Sequence, residues 1–252
     1  MNAVHGQTPG KVPEVTLLFW VIKIAVTTLG ETGGDAVSMS MNLGYLVATA
    51  IFAAVFFAAV GVQIAATRFR PWVYWAAIIA TTTVGTTLAD FVTRSLGIGY
   101  AGGSTLLLVL LLASLAVWHR TTGTVSVESV STPRSEMFYW TTIMFSQTLG
   151  TALGDWTADT AGLGYLGAAL IFGGLLVVVA GAHFWTRVSS TLLFWTAFVL
   201  TRPLGAVLGD FLDKPLASGG LALSRYSASV VLLVFVGVCV MLSGKRAAGA
   251  SH

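Results

Sequence analysis

Long apolar runs alternate with short polar segments along the whole chain. Each run holds about 20 residues, which is enough for a helix to cross the roughly 30 Å hydrocarbon core of a bilayer. We therefore predict an all-α membrane protein with eight transmembrane helices. The predicted spans cover residues 15–35, 43–66, 72–93, 100–118, 137–157, 163–185, 189–212 and 221–243.

The longest polar segment lies between the fourth and fifth runs and reads RTTGTVSVESVSTPRSE. It divides the chain into two halves of four predicted helices each. The predicted organisation is a first half over 1–119, a polar linker over 120–136, a second half over 137–244 and a cytoplasmic tail over 245–252.

A nine-residue pattern recurs four times, as TTLGETGGD, TTVGTTLAD, QTLGTALGD and RPLGAVLGD. Each copy ends on an aspartate, with a glycine five residues before it and a tryptophan fifteen residues before it. Such coincidences at fixed offsets indicate four tandem copies of a two-helix unit. The aspartates are Asp35, Asp90, Asp155 and Asp210, and the tryptophans are Trp20, Trp75, Trp140 and Trp195.

The length of the unit also predicts how the copies are arranged. Because each copy contains two spans, every copy enters the membrane from the same side, and the copies are related by rotation about the membrane normal. The four aspartates then share one depth. Small residues at fixed positions, such as Gly150 and Gly154, form small-xxx-small pairs that typically pack helices closely.

The repeated pattern resembles a family of bacterial membrane proteins made of four tandem two-helix repeats of unknown function with a recurrent tryptophan. The resemblance extends from Trp20 to about Met241, and its most specific stretch is LTRPLGAVLGDFLDKPLASGGLALSRYSAS in the fourth copy. It implies the eight-helix architecture and a place in the bacterial inner membrane, and it implies no activity.

Composition narrows the class of protein. Hydrophobic residues make up 56% of the chain and charged residues 9%, against about 25% charged residues in soluble domains, so the lipid bilayer is the predicted partner. The basic residues are dispersed at loop ends, so we expect no nucleic-acid partner. A single cysteine, Cys239, excludes an intrachain disulfide. The sequence contains no P-loop, zinc-ligand helix motif or nucleophile elbow, so we expect neither an enzyme nor a cofactor.

The distribution of lysine and arginine predicts the orientation. One side of the predicted membrane carries Lys11, Arg68, Arg70, Arg120, Arg134, Arg187, Lys245 and Arg246. The other side carries Arg94, Lys214 and Arg225. Because short cytoplasmic loops are enriched in these residues, we predict that both termini are cytoplasmic.

Polar residues inside the spans form the candidate site. Positions four and seven before each aspartate lie near it on the helix surface and hold mostly oxygen-bearing side chains. Lys23 and Arg202 also lie within spans, where a charge needs a partner or water, and we expect Arg202 to neutralise part of the charge of Asp210. The predicted ligand- and proton-binding residues are Glu31, Asp35, Asp90, Asp155, Asp210, Arg202, Lys23, Thr28, Thr83 and Thr148. Glu31, Asp35, Asp90 and Asp155 are the predicted metal ligands.

Several functions are compatible with this site. The first hypothesis is a proton-coupled secondary transporter of a small cation, for which oxygen ligands favour a hard metal ion such as magnesium, calcium or manganese. The alternatives are a passive channel with a carboxylate ring at its mouth and a scaffold in which the aspartates only end helices. The sequence leaves open whether the protein forms a homo-oligomer. It also leaves open whether the four copies surround one shared site or form two pairs.

The predicted orientation can be tested in the polar linker. A Ser126→Cys variant should react with a membrane-impermeant thiol label only from the cytoplasm, because Ser126 lies on the side rich in lysine and arginine. Labelling of intact cells from outside would reverse the orientation of all four copies.

Overall fold

The computed structural model describes residues 10–243 and 247–248, and within this part of the chain the regular structure is helical, apart from one isolated bridge between Pro13 and Ala247. Most of the predicted tail, with Lys245 and Arg246, lies outside the described residues. The helices are α1 (Leu17–Asp35), α2 (Gly44–Ala65), α3 (Pro71–Asp90), α4 (Gly99–Thr122), α5 (Pro133–Asp155), α6 (Gly164–Trp185), α7 (Ser190–Asp213) and α8 (Arg225–Leu242).

The four odd-numbered helices form a closed inner ring. Helix α1 packs against α3, α3 against α5, α5 against α7, and α7 against α1. The even-numbered helices lie outside this ring, where α2 packs on α3, α4 on α5, α6 on α7 and α8 on α1. The outer helix of each copy therefore packs on the inner helix of the next copy, as the predicted rotational relation requires.

Burial separates the two sets of helices. The most apolar window of α1 is 67% buried, whereas that of α2 is 17% buried. Within the described part of the chain, seven helices are long and apolar enough to span a membrane, which indicates a multi-pass membrane protein. The remaining helix, α5, carries more polar residues but occupies the same place in the ring as α1, α3 and α7. Its lower hydropathy reflects its polar side chains, of which Gln147, Thr148 and Thr151 are buried in the protein.

The predicted small-residue packing is confirmed at the ring interfaces. A methyl group added at Gly30, Gly150 or Gly205 would lie closer than 3.0 Å to a side chain of the next inner helix. The neighbours are Thr82 for Gly30, Arg202 for Gly150 and Thr27 for Gly205, and Gly85 packs on Gln147. The same interface therefore recurs around the ring. In each case the glycine of one copy packs against the residue that lies eight positions before the aspartate of the next copy.

The chain changes conformation just past the aspartates. In the first three copies a π-helical segment follows directly, at Ala36–Ser40, Phe91–Ser95 and Trp156–Thr160. The outer helices then begin at glycines with positive φ, Gly44, Gly99 and Gly164. Each of these glycines, which a tyrosine follows directly in the sequence, thus serves a left-handed turn that other residues adopt at a cost. In the fourth copy α7 continues to Asp213, and the turn is built differently.

Aromatic side chains close the opposite end of the bundle. Trp75, Trp140 and Trp195 are 2–5% exposed, so they pack inside the protein rather than forming an interfacial belt. The hydroxyls of Tyr74 and Tyr139 share a hydrogen bond of 2.6 Å in the same cluster. We call this the aromatic end and the other the aspartate end.

The linker is shorter than the predicted 120–136. Helix α4 runs on to Thr122, and α5 starts at Pro133 because Thr132 and Ser135 form a capping box there. The segment before α1 crosses the aromatic end, where Lys11 is buried and its Nζ lies 2.7 Å from Glu136 Oε1. Sequence analysis placed Lys11 only as a membrane-flanking charge.

The ring interface makes a testable prediction. Gly150→Leu should cost at least the roughly 1–3 kcal/mol of an overpacked core, because the new side chain meets Arg202 and Pro203. Thermal unfolding in detergent measures the loss. The control is Gly174→Leu on the exposed face of α6, where a Cβ meets nothing within 4 Å. Equal melting temperatures for the two variants would contradict the packing role.

Candidate functional site

Equivalent residues of the four inner helices approach one another at five levels, spaced four residues apart. All of these side chains are between 0 and 7% exposed. From the aromatic end, the aromatic level holds Phe19, Tyr74, Tyr139 and Phe194, the lysine level Lys23, Ile78, Ile143 and Phe198, and the arginine level Thr27, Thr82, Gln147 and Arg202. The glutamate level holds Glu31, Thr86, Thr151 and Ala206, and the aspartate level Asp35, Asp90, Asp155 and Asp210.

At the aspartate level the carboxylates form two pairs rather than one ring. Lys214 Nζ lies 2.6 Å from Asp35 Oδ2 and 3.0 Å from Asp210 Oδ1. Arg94 lies with Nε 2.8 Å from Asp90 Oδ1 and Nη2 3.1 Å from Asp155 Oδ2. Each basic residue thus bridges the aspartate of its own copy to that of the next.

The two bridging residues occupy the same position of the repeat. Arg94 and Lys214 both stand four residues after the aspartate, in the second and fourth copies. The odd copies have Met39 and Asp159 there. The aspartate level therefore has approximate twofold symmetry, although the helices that carry it pack with fourfold symmetry.

A further ion pair lies next to the bridge that Lys214 makes between Asp35 and Asp210. Arg225 at the start of α8 donates from Nε to Asp213 Oδ2 at 2.8 Å, and its Nη2 lies 3.8 Å from Asp35 Oδ2. Burial lowers the pKa of Lys214, but the carboxylates of Asp210 and Asp35 outweigh that effect and raise the pKa above its usual value. Lys214 is therefore a permanent cation at neutral pH.

At the arginine level, Arg202 joins all four inner helices. It is fully buried, and its Nη2 donates to Glu31 Oε2 at 3.1 Å and to the hydroxyls of Thr86 and Thr151. Its Nη1 donates to the carbonyl oxygen of Thr27 at 3.4 Å. The expected pairing of Arg202 with Asp210 is wrong, because the side chain turns toward α1 and the ring axis, and Lys214 neutralises Asp210 instead.

Three carboxylates on the Lys214 side form a group with metal-ligand spacing. Oxygen atoms of Glu31, Asp35 and Asp210 lie within 4.8 Å of one another, and all three side chains are buried. Among the described residues, Oδ1 of Asp35 has no hydrogen-bond partner. Of the four predicted metal ligands, Glu31 and Asp35 are in this group, whereas Asp90 and Asp155 lie in the pair held by Arg94.

The predicted threonines lie apart from the carboxylates. The hydroxyls of Thr28, Thr83 and Thr148 donate to backbone carbonyls one turn earlier on their own helices, at 2.8–3.0 Å. Thr28 lines an apolar groove between α1, α7 and α8. The hydroxyls that do approach the charged side chains are those of Thr86 and Thr151, four residues before Asp90 and Asp155, which are not among the predicted site residues.

Lys23 is the most isolated charge in the bundle. It is fully buried, and its Nζ lies 4.2 Å from the centroid of the Phe198 ring. Among the described residues this nitrogen has no hydrogen-bond partner and no ion pair. Sequence analysis found Lys23 but missed Thr82 and Gln147, although the position eight residues before the aspartate is polar in all four copies.

Comparison with known proteins places the chain in a family of repeat proteins. The family model described as Repeat of Unknown Function (DUF347) matches this chain four times, at residues 18–69, 73–124, 138–189 and 193–244. These matches cover most of the chain, so the protein belongs to this family. Searches of curated proteins and of solved structures gave no match.

The role of Arg202 can be measured through stability. Arg202→Met should lower the free energy of unfolding by about 3–5 kcal/mol, because it leaves Glu31 as an uncompensated buried charge. Thermal or denaturant unfolding in detergent gives the value. The double variant Glu31→Gln/Arg202→Met should recover part of the loss. A double variant less stable than Arg202→Met would show that the Glu31 carboxylate does not depend on the arginine.

Proposed function

We propose that this protein is a secondary transporter that exchanges a hard cation for protons at the group formed by Glu31, Asp35 and Asp210. The observation that carries the proposal is the approach of three buried carboxylates within 4.8 Å. Like charges in so small a volume repel one another unless cations or protons neutralise them. Oxygen-only ligands favour magnesium, calcium or manganese over softer metals.

Lys214 supplies the exchange step in this mechanism. Its ammonium bridges Asp35 and Asp210 and stands in for the cation when no substrate is present. Its side chain is 13% exposed, so it lies between the buried carboxylates and the solvent at the aspartate end. A divalent cation entering the group would displace the ammonium and any carboxyl protons, which couples cation binding to proton release.

The Arg94 pair has a different role in the proposal. An arginine stays protonated and holds carboxylates through several fixed donors, so it makes a lasting bridge between Asp90 and Asp155. A lysine presents one compact charge on a flexible stem and releases its partners more readily. We assign substrate exchange to the Lys214 side and helix fixation to the Arg94 side.

The filled axis favours a transporter over a passive channel. Arg202 and Phe198 lie between the two ends of the bundle, and the hydrogen-bonded hydroxyls of Tyr74 and Tyr139 lie at the aromatic end. All four side chains are buried. An ion that crosses the bundle needs these levels to rearrange, which is the behaviour of alternating access rather than of an open pore. In the scaffold alternative, the carboxylates bind no ligand and only end helices.

Proteoliposomes test the proposal. Addition of manganese, magnesium or calcium should drive proton movement in wild type, read with an internal pH dye, and Asp35→Asn and Asp210→Asn should reduce it at least tenfold. Lys214→Gln should lower the cation concentration needed for half-maximal response, because it removes the competing ammonium. The matched control is Asp159→Asn, an exposed carboxylate at the same end.

The alternatives give different results in the same assay. Cation flux that persists without proton movement supports the channel. Wild-type proton movement in both Asp35→Asn and Asp210→Asn would contradict the proposed exchange site, and these aspartates would then be helix-end residues. A folded wild type that moves none of these cations supports the scaffold.

A further inference from the structure

The lysine and arginine levels hold two buried basic side chains but only one carboxylate partner. Arg202 is paired with Glu31 at 3.1 Å, but Lys23 has no ion pair among the described residues. Glu31 follows Lys23 by eight residues on α1, roughly 12 Å of helix rise away, and its Oε2 already accepts from Arg202. An isolated charge at this depth is costly, so Lys23 calls for a counter-ion that the described chain does not supply.

Buried polar atoms without a partner occur on the same two levels. Among the described residues, they are Lys23 Nζ, Thr82 Oγ1, Gln147 Nε2, Gln147 Oε1 and Arg202 Nε. The four side chains come from α1, α3, α5 and α7, so each inner helix contributes one. Buried polar groups are normally satisfied, and three of these five atoms are N–H donors, which match a ligand that accepts hydrogen bonds.

The register places these donors together. Thr82, Gln147 and Arg202 belong to one level, and Lys23 stands one turn before Thr27 of that level, about 6 Å of helix rise. The ring of Phe198, one turn before Arg202 on α7, lies under the Lys23 ammonium. The backbone carbonyl of Thr27 and the guanidinium of Arg202 are 3.4 Å apart, which ties α1 and α7 at this height.

We propose that Lys23, Thr82, Gln147 and Arg202 form a binding site for a small monovalent anion near the middle of the bundle. The ligand would receive hydrogen bonds from the lysine ammonium and the glutamine amide and would balance the charge of Lys23. Glu31 on the far side of Arg202 repels a second negative charge, which limits the ligand to one charge. This site is separate from the carboxylate group at the aspartate end and goes beyond the cation exchange proposed above.

Anion-dependent stability tests the site without any transport assay. The purified protein is unfolded thermally in detergent while sodium gluconate, whose anion is much larger than a halide, is replaced by sodium chloride or sodium bromide at constant ionic strength. Because a ligand that binds the folded state raises its stability by mass action, the wild-type melting temperature should rise by several degrees as chloride or bromide increases. Crystals grown in bromide should show an anomalous peak beside Lys23 Nζ.

Two variants identify the residues responsible. Lys23→Met should abolish the rise and, in gluconate, should be at least as stable as wild type, because it removes an uncompensated charge. Gln147→Leu should reduce the rise. The control is Arg187→Met, which removes one positive charge from an exposed loop and should keep the full rise. If Lys23→Met does not fold, Lys23→Gln replaces it with a neutral polar side chain.

Two results would overturn the proposal. One is a wild-type melting temperature that is the same in gluconate, chloride and bromide, which would mean that Lys23 is neutral or solvated by water. The other is a lysine variant that keeps the wild-type rise, which would assign the effect to general salt action. Neither result concerns cation-driven proton movement, so the anion site and the carboxylate group are tested independently.

Discussion

The ring of inner helices depends on the burial of Arg202. A guanidinium in a low-dielectric interior must have its charge and its donors matched, and Arg202 finds its acceptors on α1, α3 and α5 at once. The side chain reaches them because Gly150 leaves room beside it. Helix spacing, the position of Glu31 and the hydroxyls of the glutamate level are therefore fixed together by one interaction.

Packing and chemistry follow different symmetries in this protein. The glycine interfaces repeat four times with only the size of the received side chain changing, from threonine to glutamine to arginine. The charged residues repeat twice, since only the second and fourth copies carry the bases Arg94 and Lys214. Because one base is a lysine and the other an arginine, even the two halves differ. The helix packing is therefore uniform around the ring, whereas the charged residues are not.

The sequence predicts the frame better than it predicts the site. Apolar runs, the recurrent aspartate and the small-residue pairs depend on local periodicity, and the helices and their close packing follow from them. The ion pairs do not follow from local periodicity. Lys214 and Arg94 come four residues after the aspartates of their own copies, yet they also bind the aspartates of the next copies. Arg202 was expected near Asp210 on its own helix, but ring closure placed Glu31 within reach. The polar level at Thr82 and Gln147 is hard to recognise because three residue types, threonine, glutamine and arginine, occupy it in the four copies.

The four copies form a closed ring although the chain itself is linear. Helix α8 packs on α1 just as α2 packs on α3, and the two ends of the described chain meet where Pro13 bridges Ala247. The junction between the last and first copies is thus equivalent to every other junction. A circular permutation that joins these two segments and opens the chain between α4 and α5 would preserve every helix interface, so the fold fixes the cyclic order of the copies but not which copy comes first.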